Sequence, residues 1–145
     1  MPYFVVQKAE RILGLQGKSL RGSKILVLGV TYKADLPDLR ESPAVKVIQL
    51  LLEEGAEVSY HDPFIPEVSV AIGYGNSQNS YDKRATQLTS RPLTEDALKS
   101  ADIVLITTDH SCVDYETVVD EARFVLDCRH STRGIGENRT NVQKL

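Results

Sequence analysis

Lys33, Arg40 and Arg129, with Tyr32 beside the first of them, are the side chains of this sequence whose types and spacing point to chemistry. Lys33 and Arg40 lie in a polar loop that follows an apolar run, Ile25 to Leu28, and a single Gly29, and that ends where a helix begins at Ser42-Pro43. A helix N-terminus exposes unpaired backbone N–H groups and a partial positive charge, so an anion held by a neighbouring Lys and Arg is well placed there. Phosphate is the leading candidate. The same loop carries Asp35, Asp38 and Glu41, so internal ion pairing on a solvated loop is the competing outcome, and spacing alone leaves both open. These residue types build an anion site rather than a catalytic centre.

The other polar candidates are weaker. His110 follows an apolar run as a lone histidine and reads as a structural hydrogen-bonding residue; His61 and His130 have no better case. Asp62 stands where a dinucleotide-binding fold keeps its ribose-binding acid, but the chain after Val27 reads L-G-V-T-Y-K, without the Gly-rich fingerprint, so Asp62-Pro63 reads as a turn that ends a strand. Gly73-Tyr74-Gly75 has no evident strand before it and reads as a chance match. Cys112 and Cys128 lack a Cys-x-x-Cys spacing, so both are expected as reduced thiols, and Cys112 near His110 as an ordinary side chain rather than an activated nucleophile.

The elements that must position these residues alternate between strand and helix. Val5, Val6, Ala9, Ile12 and Leu13 form one side of an N-terminal helix, with Gly14 and Gly17 expected to end it. It has no obvious place in a minimal three-layer sandwich and is expected to pack on something beyond this chain. Ser42 is expected as the N-cap and Pro43 as the first residue of a second helix, with Val45, Ile48, Leu51 and Leu52 as its buried stripe and Gly55 in the left-handed position after it. A strand follows from Glu57 to His61. Glu67 to Pro92 turns polar and rich in Gly, Ser, Asn and Gln, and is expected as a surface excursion, partly disordered.

Beyond it, Thr94 caps a short helix to about Ser100, Ile103 to Thr107 is a fully buried strand, Asp114 caps a helix to about Ala122, Phe124 to Asp127 is a fourth strand, and Asn141 to Leu145 can add an edge strand. This order predicts an α/β, doubly wound parallel sheet, a Rossmann-like three-layer sandwich in one domain over residues 21–145 preceded by the helix in residues 1–20. In such folds ligands bind outside the carboxyl ends of the strands, so the loops after Val30, His61, Thr107 and Asp127 share one edge and bring Tyr32, Lys33, Arg40, Asp109, His110 and Arg129 together. Cations along such an edge suit a diphosphate and the ribose beside it.

With 145 residues the chain fits one domain, and its 17 basic and 20 acidic side chains, net charge -3, are interspersed. That gives no broad field for nucleic acid or an anionic membrane. No apolar stretch approaches the roughly 20 residues that span a bilayer, and the first 20 residues lack a signal-peptide pattern. A cytoplasmic protein is expected.

The string LGVTYKADLPDLRESPA, followed by LLLEEGAEVSYHDPFIP, LTEDALKSAD, VLITTDH and LDCR, resembles the C-terminal domain of the UDP-glucose/GDP-mannose dehydrogenase family, whose members oxidise C6 of a nucleotide sugar to a carboxylate with NAD. The resemblance implies that Tyr32 and Lys33 match an aromatic-Lys pair of the UDP site and that Arg129 matches an arginine near the ribose. Arg40 matches an arginine reaching toward NAD held by another domain. Thr108-Asp109-His110 resembles the branch that oxidises UDP-N-acetylhexosamines. The Gly-x-Cys-x-Pro-Lys segment that supplies the family's nucleophile has no counterpart here, so no catalytic residue and no metal ligand is expected. The implied partners are a UDP-sugar and the missing N-terminal and central domains of a homo-oligomeric parent enzyme, with the helix in residues 1–20 continuing from the central domain.

Overall fold

The computed structural model describes residues 2–73, 83–135 and 139–145. The chain runs α1 (Pro2–Leu15), β1 (Lys24–Leu28), α2 (Pro43–Glu53), β2 (Glu57–His61), β3 (Glu67–Gly73), β4 (Lys83–Thr89), α3 (Glu95–Ser100), β5 (Ile103–Ile106), α4 (Tyr115–Glu121), β6 (Val125–Asp127) and β7 (Val142–Lys144). Five strands form a parallel sheet in the order β2-β1-β5-β6-β7, with Val27 opposite Tyr60 on one side and Leu105 on the other. The expected doubly wound sheet is therefore present, and β7 is its edge.

The central strands are apolar throughout because both faces are covered. Ile25, Val27, Ile103 and Leu105 join the core beneath α1 and α2, while Leu26, Leu28, Val104 and Ile106 join the one beneath α3 and α4. Each fully buried Val, Leu or Ile contributes about 1.5–3 kcal/mol, so the period-two alternation within an unbroken apolar run stabilises two layers at once. Local end signals act as expected at four helices. Gly17 (φ +75) and Gly55 (φ +87) follow α1 and α2 in the left-handed position, with Lys18 N–H on Leu13 O at 2.9 Å and Ala56 N–H on Leu51 O at 3.1 Å closing the helix ends. Thr94 Oγ1 accepts from Ala97 N–H, and Asp114 from Thr117 N–H.

Four expectations are corrected. The segment from Glu67 to Pro92 contains an antiparallel hairpin, β3 with β4, packed on α2, and Val68, Val70 and Ile72 are buried along its inner face. Their strict alternation was masked by the polar composition around them. Gly73 ends β3, whereas Tyr74 and Gly75 lie outside the described residues. The stripe of α2 is Ala44, Val47, Ile48 and Leu51, with Val45 and Leu52 only partly covered, because the helix must face the sheet, α1 and the hairpin together. The apolar side of α1 finds its cover inside the chain, on α2, and Gly14 stays within the helix. Ser42 occupies the N-cap position but its hydroxyl donates to Val30 O at 2.5 Å instead of accepting from the helix.

Candidate functional site

Parallel pairing puts the C-terminal ends of β1, β2, β5 and β6 at one edge of the sheet, and the loops that leave them build the site. Gly29 starts the first loop at φ +85 with Thr108 packed directly against it. Its carbonyl accepts from Thr107 Oγ1 at 2.5 Å, and Thr108 Oγ1 donates to Thr31 O at 2.6 Å, so the loop after β1 is stitched to the loop after β5. Between these loops and Arg129 lies a cavity of about 440 Å³ lined by Tyr32, Lys33, Ala34, Thr108, Asp109 and Arg129.

Three of the predicted site residues thus converge. The Lys33 carbonyl accepts from Thr31 Oγ1 at 2.8 Å, while its side chain makes no hydrogen bond or ion pair among the described residues. Arg129 is partly spent on the protein: Nε donates to Thr107 O at 3.1 Å and Nη2 to Tyr32 O at 3.4 Å, which orients the guanidinium along the cavity wall and leaves Nη1 donors for a ligand. Asp109 adds a carboxylate, an acceptor suited to hydroxyl or N–H donors of a bound molecule. Tyr32 and Arg129 also border a second, mainly apolar pocket of about 380 Å³ with Val5, Ala44, Val47 and Cys128 among its walls. A cavity that holds two cations, beside a more strongly apolar one, can take a molecule with an anionic part and a flat, less polar part.

Arg40 does not line either pocket. Its guanidinium forks onto Asp38, Nε to Oδ1 at 3.1 Å and Nη2 to Oδ2 at 3.1 Å, and its side chain is 89% exposed. Hydrogen bonds from Arg40 hold the Asp38 carboxyl below the usual carboxylate range. Asp62 is buried and accepts from Val30 N–H, Phe64 N–H and the His110 ring. His110 is buried as well, with Nδ1 2.9 Å from Asp35 N, so both act on the loop rather than in the cavity. The sequence marks Asp62 as a turn and His110 as structural; that the two are bonded to each other across 48 positions is visible only in the fold. Cys112 and Cys128 are free, and burial, reinforced by Asp127, pushes the Cys128 thiol up to about 12, so it stays a thiol.

The turn that presents Arg129 is held by Asp127, a residue the sequence did not single out. Its fully buried carboxylate accepts from Arg129 N–H, Ser131 N–H, Thr132 N–H and Thr132 Oγ1 at 2.6–3.1 Å. Burial alone would raise its pKa, but these hydrogen bonds outweigh that and hold it below the ordinary 3.8. A depressed carboxylate contributes stability that is complete above the ordinary value and lost as pH falls through the folded one. Asp127→Asn should accordingly be less stable than the wild type at pH 7, with the gap narrowing below about pH 3.8; urea melts of both proteins across that range provide the check, and a gap independent of pH refutes the assignment.

A family model for the UDP-glucose/GDP-mannose dehydrogenase family, UDP binding domain, matches residues 26–133. The chain is 34% identical over 110 residues to a UDP-N-acetyl-D-mannosamine dehydrogenase of Methanocaldococcus jannaschii, a match that covers 76% of this chain and 20% of that protein. It is 35% identical over 129 residues to a UDP-glucose 6-dehydrogenase of Rickettsia bellii, covering 83% of this chain and 27% of that one. In fold it resembles a UDP-D-ManNAc dehydrogenase from Pyrococcus horikoshii with a TM-score of 0.70 over 99% of this chain and 30% of that structure, at 21% identity. The chain therefore spans about a quarter of the length of these relatives.

Proposed function

Since the chain belongs to the UDP-glucose/GDP-mannose dehydrogenase family, through its UDP-binding domain, we propose that the cavity between the loops after β1, β5 and β6 binds the UDP part of a nucleotide sugar for an NAD-dependent 6-dehydrogenase. The observation that carries this reading is the convergence of an unpaired Lys33 and an oriented Arg129 on one cavity beside Tyr32. Lys33 supplies a mobile point charge for phosphate oxygens, Arg129 a fixed fork near the ribose, and Tyr32 an aromatic wall.

The sugar we assign is a UDP-N-acetylhexosamine, oxidised at C6 to the uronic acid for polysaccharide biosynthesis. The Thr108-Asp109-His110 string and the name of the Methanocaldococcus relative favour it; the Rickettsia relative's name keeps UDP-glucose as the second reading. NAD does not fit this chain's own strand ends: Gly29 is the single glycine of the loop after β1, and Asp62, in the position of a ribose acid, is buried with its oxygens committed to protein donors. NAD is assigned instead to the N-terminal domain of the parent, with exposed Arg40 as this chain's contribution, and α1 continues from a central domain of the same cytoplasmic homo-oligomer. This chain then binds and positions; the nucleophile and the cofactor come from elsewhere in the parent.

Calorimetric titration with UDP tests the reading. Lys33→Ala should weaken binding at least about tenfold, the effect of losing one charge-assisted contact of roughly 1.5–3 kcal/mol, whereas Arg40→Ala should change it less than twofold. Equal losses in both variants, or amide shifts confined to the β3–β4 hairpin on saturation, would refute it.

A further inference from the structure

The loop from Val30 to Asp35 is held at both ends by one hydrogen-bonded pair. Val30 N–H donates to Asp62 Oδ2 at 2.8 Å, and Asp35 N–H donates to His110 Nδ1 at 2.9 Å. The two anchors are joined directly, His110 Nε2 lying 2.9 Å from the same Asp62 oxygen. Because Nδ1 accepts an N–H, the ring proton sits on Nε2 and is donated to the carboxylate; the partners fix this tautomer. The imidazole is 1% exposed and its other face is closed by Phe64, with ring centroids 4.9 Å apart. Tyr32 and Lys33 lie between the anchored ends.

We propose that the Asp62–His110 pair is a clamp that presets Tyr32 and Lys33 for the nucleotide, with His110 the positioning residue that acts through Asp35. The proposal rests on the reading of the adjoining cavity as a UDP site. Neither Asp62 nor His110 lines that cavity, so their influence passes through the loop backbone. The loop also has a reason to leave if released. Asp35 is held at φ +64, a conformation that costs a non-glycine residue and persists only when its surroundings over-determine it. Here the determinants are His110 Nδ1 on its N–H and Ser111 N–H on its carboxylate at 2.9 Å.

The two contacts of the ring can be separated by substitution. His110→Asn keeps an acceptor at the place of Nδ1 and gives up the bond to Asp62; His110→Gln keeps a donor at the place of Nε2 and leaves the Asp35 N–H unpaired; His110→Ala loses both. In the 145-residue chain, stability in urea should fall most for His110→Asn and His110→Ala, which take one of its three donors from the buried Asp62 carboxylate. UDP affinity should fall about five- to tenfold for His110→Gln and His110→Ala, and at most about threefold for His110→Asn. A purely structural histidine would make affinity follow stability, and that result overturns the proposal.

Ligand-free NMR separates this proposal from the function it rests on. The wild-type imidazole should show protonated Nε2 and unprotonated Nδ1, and the Tyr32, Lys33 and Asp35 amides should shift or broaden in His110→Gln and stay near their wild-type positions in His110→Asn. Failure of wild-type protein to bind UDP, with this amide pattern intact, refutes the nucleotide reading and leaves the clamp standing; an unchanged amide spectrum in His110→Gln refutes the clamp whatever the chain binds.

Discussion

Gly29→Ala should lower the melting temperature of the chain by on the order of 10 °C or more, a large stability effect for a single methyl group. Two costs fall on the same atom. The residue sits at φ +85, where an L side chain is strained by about 1–3 kcal/mol. A Cβ there would lie 2.4 Å from Thr108 Cβ and 2.8 Å from Thr108 O, an overlap with backbone that no rotamer relieves. Thr108 cannot retreat, because its hydroxyl is bonded to Thr31 O and its own carbonyl accepts from Tyr115 at 3.3 Å. Gly134→Ala provides the control. That residue has φ +78 but nothing within 4 Å of a built Cβ, so it should lose about 1 kcal/mol, a few degrees in a protein of this size. Thermal unfolding followed by circular dichroism distinguishes the two. Similar losses for both glycines would show that backbone conformation alone, and not the contact between the β1 and β5 loops, sets the requirement at Gly29.

Arg129→Ala should weaken UDP binding by about 30-fold or more, exceeding the loss at Lys33. Removing the side chain takes away a charge-assisted contact worth roughly 1.5–3 kcal/mol and, in addition, frees the carbonyls of Thr107 and Tyr32 that the guanidinium now ties together. The wall of the cavity and the ligand contact are lost together. Arg129→Lys retains a cation without the fork and should fall between the wild type and the alanine variant. Titration calorimetry of the three proteins gives the order; a lysine variant that binds like the wild type would mean that charge alone is used, and an alanine variant within threefold of the wild type would remove Arg129 from the site.

How much of this was legible beforehand depends on how local the cause is. Capping by Thr94 and Asp114, the left-handed glycine after α2, and the unbroken apolar runs of β1 and β5 are decided within a few residues, and each stands in the structure as expected. The hairpin was hidden because β4, with Thr86, Gln87 and Thr89, carries little apolar signal of its own; β3 became a strand by pairing with it and by burying Val68 and Val70 in the core that α2 covers. At Arg40 the spacing left a ligand contact and a local ion pair both open, and in this structure the carboxylate two positions away holds the side chain.

By itself, then, the sequence determined the alternation of strands and helices, and with it the sheet edge at which Tyr32, Lys33 and Arg129 meet, because parallel pairing of such strands puts all their carboxyl ends on one side. Only the tertiary structure decided what each polar group at that edge does. Asp62 and His110, and Arg129 and Tyr32, become partners when separate crossovers return to neighbouring strands, and a buried polar group must then take whichever donor or acceptor packing brings within about 3 Å. Sequence spacing carries no record of that choice, which is made by the burial of the apolar faces on either side of the sheet.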